Sequence, residues 1–191
     1  MRNHQESLAQ RFAAEFESLG GQVFMAATDE RLVAALVTAL RQEAATRVIA
    51  WEHPELARFG GQAIAAIPGA TLTVNRTNES KERLIELADA ADAGLTWGDF
   101  AVADTGSLAL LSDNGKSRSV SLLPAVHIAV VPASRLLATR RDLFRLLRDD
   151  WRRSAAITLV SGPSKTGDID GSIHKGVHGP RKAYAMLAMH L

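Results

Sequence analysis

Apolar residues recur along this chain first at helical spacing and then in short runs that alternate with helical segments. The opening segment predicts an amphipathic helix that ends at Gly20 and Gly21, and Thr28 offers an N-cap for a second helix. Both predicted helices precede the first predicted strand, residues 47–51. The apolar stripe of the first helix consists of Leu8, Phe12, Phe16 and Leu19, and that of the second consists of Leu32, Val33, Leu36, Val37 and Leu40.

Beyond residue 47, short apolar strands alternate with helical patterns, which is typical of βαβ units and a mostly parallel sheet. Residues 94–105 either end a helix or form a short strand that turns at Thr105 and Gly106. The sequence predicts one α/β domain of three layers, in which helices flank the sheet and further helices precede it. Further strands are predicted over residues 70–74, 107–111, 125–131, 156–160 and 183–189, and helices from Pro54, over 79–91 and over 139–152.

Composition narrows the functional classes. The 191 residues are 47% hydrophobic and 23% charged with a formal net charge of +1, which describes an ordinary globular domain with its own core. The absence of cysteine excludes disulfides, thiolate-bound zinc, cysteine-bound iron–sulfur clusters and a cysteine nucleophile in these residues. Redox chemistry by this chain alone would need an organic cofactor.

No apolar run spans a bilayer and no secretory signal is visible, so we expect a cytoplasmic protein without membrane contact.

Positive charge is concentrated in the second half of the chain, where a predicted loop offers anion-binding groups. Residues 96–191 carry 13 basic and 8 acidic side chains, against 9 and 13 in residues 1–95. Ligands of open α/β sheets bind beyond the carboxyl ends of strands, and this loop directly follows the predicted strand 156–160. Its hydroxyls, lysine and glycines can surround a phosphate or carboxylate, although a tight turn would explain the same Gly and Pro residues. The candidate anion-binding residues are Ser161, Gly162, Ser164, Lys165 and Thr166.

A second candidate is the turn formed by Asp104, Thr105, Gly106 and Ser107. It places a carboxylate and two hydroxyls around a glycine that we expect in a conformation other residues resist. We interpret Asp104 as a turn-stabilising carboxylate that accepts backbone N–H bonds. Because no neighbouring base is identifiable, Thr105 and Ser107 are candidates for ligand contact rather than for nucleophilic attack.

No cofactor motif is present. The run from Asn114 to Ser117 imitates the end of a P-loop, but Leu110 stands where that motif requires Gly. No G-x-G-x-x-G follows a predicted strand either. We therefore expect no nucleotide or dinucleotide cofactor.

Three stretches together resemble the lactate-utilisation domain (LUD) family, of the lactate utilisation protein C type. The last one contains the paired motifs S-G-P-S-x-T-x-D-I and G-V-H-G-P. The resemblance covers residues 28–191 and makes residues 1–27 an N-terminal helical extension. The stretches are residues 94–107, 122–124 and 161–180.

The resemblance implies a Rossmann-type fold like that of ribose-5-phosphate isomerase, glucosamine-6-phosphate deaminase and the coenzyme A transferases. It also implies a part in the oxidation of L-lactate to pyruvate, together with iron–sulfur partner proteins. Without cysteine, this chain would be the component that carries no cluster and that binds the substrate or the partners.

Within the resemblance, Asp168 and His178 fall on motif positions and are the candidate catalytic residues. The ordinary pKa of an imidazole lies close to working pH, so His178 is the preferred proton-transfer group. The alternative is that His178 only stabilises its turn through a ring hydrogen bond. We expect the site where the Asp104 turn, the Ser161 loop and His178 converge, with Gly179 as a further contact. Asp168 and His178, with Asp170 and His174, could reach one metal if the segment folds back, but a solvated loop is the preferred interpretation and no metal is predicted.

The rival hypothesis is a free-standing isomerase- or transferase-type enzyme for a small phosphorylated or acyl substrate, with Asp168 or His178 as the general acid or base.

His127 is interpreted as a core histidine whose hydrogen bonds are satisfied. The arginine-rich helix is interpreted as a solvated face or a docking surface for an acidic partner, and not as a nucleic-acid site, because acidic residues interrupt it. Its shared face consists of Arg141, Arg145, Arg148 and Arg152.

Overall fold

The strands of this chain form two main sheets in the computed structural model, which describes residues 2–113, 115–150, 154–167 and 173–191. In chain order the strands are β1 (Gln22–Ala26), β2 (Arg47–Trp51), β3 (Thr71–Asn75), β4 (Ala93–Trp97), β5 (Phe100–Val102), β6 (Ser107–Ser112), β7 (Val126–Pro132), β8 (Leu136–Leu137), β9 (Ala156–Val160), β10 (Lys165–Gly167), β11 (Ile173–Lys175) and β12 (Lys182–Ala188). The larger sheet has six parallel strands in the order β1-β12-β7-β4-β2-β3. The smaller, mixed sheet has the order β8-β5-β6-β9, and β10 pairs antiparallel with β11.

The helices begin where the sequence places capping residues. Thr28 Oγ1 accepts the Arg31 N–H at 3.3 Å at the start of the second helix, and Pro54 stands in the first turn of the third, both as predicted. None of the helices in the described part of the chain has the length and apolar character needed to cross a membrane. The helices are α1 (Arg2–Ser18), α2 (Asp29–Gln42), α3 (Pro54–Ala65), α4 (Lys81–Asp89), α5 (Ser119–Leu122) and α6 (Arg140–Asp150), with a 3₁₀ helix at Ala133–Arg135.

The large sheet is buried on both faces, which gives the predicted three-layer α/β architecture. Successive side chains of a strand point to opposite faces, so Tyr184 and Met186 of β12 pack in the core under α2 and α3. Ala185 and Leu187, on the other face, pack against Phe12 of α1 and residues of the smaller sheet. Two apolar cores, one on each face of the large sheet, therefore hold its layers together, and a third joins α6 to the smaller sheet.

The smaller sheet meets α1 at a turn where only glycine fits. Gly106 has a φ of +55°, and a Cβ at this position would lie 2.4 Å from the backbone nitrogen of Phe16. The predicted unusual conformation of this glycine is thus confirmed. Its cause is the close approach of the turn to a helix backbone.

One prediction about the order of elements is wrong. Strand β1 lies between α1 and α2, so the two helices do not both precede the first strand; as an edge strand it buries only Ala26 completely and lacks a strong apolar run. Strands β6 and β9 form where predicted, but they pair antiparallel in the smaller sheet. In the ambiguous segment the strand alternative is confirmed by β5, while β4 was not predicted. The division after residue 27 stays a prediction.

Candidate functional site

Three hydroxyls predicted to contact a ligand lie in one hydrogen-bonded chain. Ser107 Oγ lies 2.8 Å from Thr105 Oγ1 and 2.7 Å from Ser161 Oγ. Ser107 has a single hydroxyl proton, so when it donates to Thr105, Ser161 must donate to Ser107. The structure therefore joins the Asp104 turn to the Ser161 loop, as predicted from the sequence.

The Ser161 loop also contacts the segment before β12. The Ser164 N–H donates to the Pro180 carbonyl at 2.8 Å, and the Gly176 N–H donates to the Ser164 carbonyl at 3.1 Å. A Cβ on Gly179 would come within 3.3 Å of Ser164 Cβ. These contacts bring Gly179 to the loop.

The other predicted site residues in this region are placed differently. His178 is exposed, Lys165 is exposed beside Gly20, and Thr166 pairs with His174 in the β10–β11 register. Asp168 and Asp170 lie outside the described residues. Within the described ranges, which omit 168–172, no group of His, Asp and Glu side chains could hold a metal ion.

The location of this hydroxyl cluster differs from the expected one. Gly162 (φ +95°) packs against the carbonyl of Leu19 near the start of β1, and Pro180 leads into β12. The cluster thus lies at the amino ends of β1 and β12. The expected position at the carboxyl edge of the parallel sheet is wrong, because β9, which the loop follows, belongs to the smaller sheet.

Asp104 stabilises local structure, as interpreted from the sequence. Its Oδ1 accepts the Arg140 N–H at 3.2 Å at the start of α6, and its own N–H donates to the Ala138 carbonyl at 3.2 Å. A carboxylate is favoured at a helix amino terminus, where N–H groups have no intrahelical partner.

The carboxyl edge of the large sheet contains a different polar site, which the sequence analysis missed. The chain passes from β2 to β3 on one side and then returns to β4 on the other side of β2. Such a switch point leaves a crevice between the carboxyl ends of the two strands, where open α/β sheets bind ligands. At this switch point β2 ends at Trp51 and β4 ends at Trp97.

On the β2 side, the strand end is joined to two loops by two hydrogen bonds each, to residues 115–117 and to Thr77. Trp51 Nε1 donates to the Ser117 carbonyl at 2.9 Å, and the Glu52 N–H donates to the Gly115 carbonyl at 2.9 Å. Glu52 Oε2 accepts bonds from the N–H and hydroxyl of Thr77 at 3.0 and 2.7 Å, and these bonds lower the pKa of Glu52. This wall of the crevice is held in place by its own contacts.

Across the crevice, His53 stacks on Trp97. The ring centroids are 4.4 Å apart and the planes differ by 14°. Burial, and then the positive charge of Lys116, lower the pKa of His53, while its Nδ1 accepts the Glu55 N–H at 3.3 Å. The neutral ring therefore caps α3 and supports the indole of Trp97.

Beside Trp97 lies a concavity of about 180 Å³ whose lining includes the carboxylate of Asp99 and the guanidinium of Arg135. Asp99 Oδ2 accepts the Leu111 N–H at 2.7 Å, and its Oδ1 lies 3.7 Å from Lys116 Nζ. Burial raises the pKa of Asp99, and the Leu111 hydrogen bond and the charge of Lys116 partly oppose this shift. The lining residues are Trp97, Asp99, Phe100, Leu111 and Arg135.

His127 is a core residue, as expected, but only one of its nitrogens has a partner. It is fully buried, and Nε2 lies 2.9 Å from Thr96 Oγ1, while no hydrogen-bond partner of Nδ1 is found in the described structure. The interpretation as a fully satisfied histidine is therefore wrong. Burial lowers the pKa of His127 to about 4, so the ring is neutral at pH 7.

The sheet order and its switch point define a doubly wound α/β protein with helices and a second sheet on its faces. The chain belongs to the LUD domain family, which it matches over residues 9–187. The resemblance stated from the sequence is thus confirmed.

Relatives and a solved structure agree with this membership. The chain is 39% identical to lactate utilization protein C of Shouchella clausii (strain KSM-K16) over 156 residues, which are 80% of this chain and 67% of that protein. It is 37% identical to lactate utilization protein C of Halalkalibacterium halodurans over 158 residues, or 81% and 67%. The crystal structure of a DUF162 family protein from Deinococcus radiodurans has a TM-score of 0.72 over 97% of this chain and 98% of that one; at 24% identity it supports the fold alone.

Proposed function

We propose that this chain takes part in lactate utilisation, as a cytoplasmic substrate- or partner-binding component of a system that oxidises L-lactate to pyruvate with iron–sulfur proteins. The observation that carries the proposal is the 39% identity to a lactate utilization protein C over 80% of the chain. The division of labour follows from composition. These 191 residues supply no thiolate for a cluster, so the electrons of lactate would pass to partner proteins.

A small anion has two candidate positions in this proposal. The hydroxyl cluster with Ser164, Lys165 and Gly179 offers neutral donors and one exposed cation. The concavity beside Trp97 offers a guanidinium and a carboxylate on a rigid edge of the sheet. Either position can bind a carboxylate.

Helix α6 is the proposed surface for an acidic partner protein. Phe144 is 59% exposed, and the side chain of Arg145 is 72% exposed. Arg140 and Arg141 line the same shallow surface as Phe144 and Arg145. An exposed aromatic ring among arginines is typical of protein interfaces, and the positive charge favours an acidic surface opposite.

The test is the lactate-dependent reduction of a redox dye by purified proteins. The chain alone should give no reduction, and adding the iron–sulfur proteins of the same organism should restore it. Reversing Arg141 and Arg145 to Glu should weaken both the reduction and co-purification, whereas reversing the exposed Arg11 and Arg31 to Glu should change neither. Dye reduction by the chain alone would contradict the proposal and favour the free-standing enzyme, whose further mark would be loss of turnover in Asp168→Asn.

A further inference from the structure

The concavity beside Trp97 has the position and size of a small-molecule site. Trp97, Asp99 and Phe100, which line it, lie in the motif stretch 94–107 but are not among the predicted site residues. It lies at the carboxyl end of β4 and is lined by Arg135, the last residue of the 3₁₀ helix that follows β7. A volume of about 180 Å³ has room for about six groups of the size of water, and a three-carbon acid is about that large.

Arg135 is the cation that lines this concavity, and it is available to a ligand. No Asp or Glu oxygen in the described ranges lies within 4 Å of its guanidinium, whereas Lys116 is engaged by Asp99 at 3.7 Å and Asp113 at 4.0 Å. The guanidinium lies 5.5 Å from the centre of the Phe100 ring, which restricts its orientation. A planar guanidinium of this kind matches the two oxygens of a carboxylate.

Asp99, which also lines the concavity, supplies a different interaction. Its carboxylate is fixed by the Leu111 N–H and offset in charge by Lys116, so it can accept a further hydrogen bond without repelling an anion strongly. An ionised carboxylate only accepts hydrogen bonds, so it favours a ligand hydroxyl over a ligand carbonyl. Trp97, backed by the His53 ring, gives an apolar wall for a short alkyl group.

We infer that this concavity binds a small 2-hydroxy monocarboxylate, with the carboxylate on Arg135, the hydroxyl on Asp99 and the alkyl group on Trp97. The inference rests on the proposed function for the choice of lactate as the first ligand to test. It assigns binding only.

The experiment is an amide and indole NMR titration of the full chain with sodium L-lactate, sodium pyruvate, sodium propionate and sodium chloride at matched ionic strength. Lactate should shift resonances of Trp97 and Asp99 saturably and bind more tightly than pyruvate or propionate. Arg135→Gln should weaken lactate binding about tenfold or more, because charge-assisted bonds are lost. Asp99→Asn should remove the preference for lactate over pyruvate, and Arg11→Gln, on the exposed face of α1, should bind like the wild type.

Saturable binding that Arg135→Gln leaves unchanged, or shifts confined to the hydroxyl cluster around Ser161, would overturn the inference. So would the absence of saturable shifts with lactate. Dye reduction with the partner proteins is measured separately. If the protein supports dye reduction but shows no lactate binding in the titration, this site alone is rejected. If it binds lactate normally but does not support dye reduction, the proposed function alone is rejected.

Discussion

Protonation of the buried His127 should destabilise the folded chain at acid pH. Burial disfavours the imidazolium and lowers the pKa from 6.5 to about 4 in the folded state, while the unfolded chain keeps the ordinary value. Above pH 6.5 the ring is neutral in both states and adds no pH dependence. Between pH 6.5 and about 4 the unfolded chain binds the proton first, so stability falls.

The size of this effect follows from the two pKa values. A pKa difference of about 2.5 units lowers the free energy of unfolding by about 3 kcal/mol at a pH where the folded and unfolded states are both fully protonated. Between pH 7 and pH 5 the loss is about 2 kcal/mol. That is a large fraction of the stability of an ordinary domain.

Urea unfolding of the wild type, His127→Asn and His4→Asn at pH 7 and pH 5 measures the contribution. His127→Asn should lower the free energy of unfolding at both pH values because the side chain is fully buried, but its loss between pH 7 and 5 should be about 2 kcal/mol smaller than that of the wild type. His4→Asn, at an exposed position of α1, should lose as much as the wild type. Equal pH dependence in the wild type and His127→Asn would refute the reasoning.

Two glycine substitutions should change the free energy of unfolding in opposite directions, as measured by urea denaturation at pH 7. Gly106→Ala should lower it by more than about 2 kcal/mol, because a side chain would both occupy the left-handed region and collide with the backbone of Phe16. Gly61→Ala should raise it by up to about 1 kcal/mol, because this position lies inside α3 and nothing stands within 4 Å of the new Cβ. A neutral Gly106→Ala, or a destabilising Gly61→Ala, would contradict these arguments.

The elements predicted correctly are those with a strong local signal. The capped start of α2, the proline at the start of α3, and the long apolar strands β7 and β12 could be predicted from neighbouring residues alone. Strand β4 could not, because Gly94 and Thr96 break its apolar run. The structure explains both residues: a Cβ on Gly94 would collide with the Val120 carbonyl, and Thr96 contacts His127.

The candidate sites differ in the same way. The contact of Ser107 with Ser161 joins two motifs that the sequence already marked, so it could be expected. The crevice depends on which strands are neighbours, and β4 pairs with both β2 and β7 only in the folded sheet. The signal available in the sequence was the run from Trp51 to Pro54, where polar residues separate a strand from a helix start.

Growth on L-lactate tests the central claim most directly. A strain that lacks this gene and has no other lactate oxidase should fail to grow on L-lactate and grow normally on pyruvate, and the wild-type gene should restore growth. Ser164→Ala, Asp168→Asn and His178→Ala test the predicted motif site in the same strain, with Arg11→Gln as the control that should restore growth fully. Normal growth of the deletion strain on L-lactate would contradict the account.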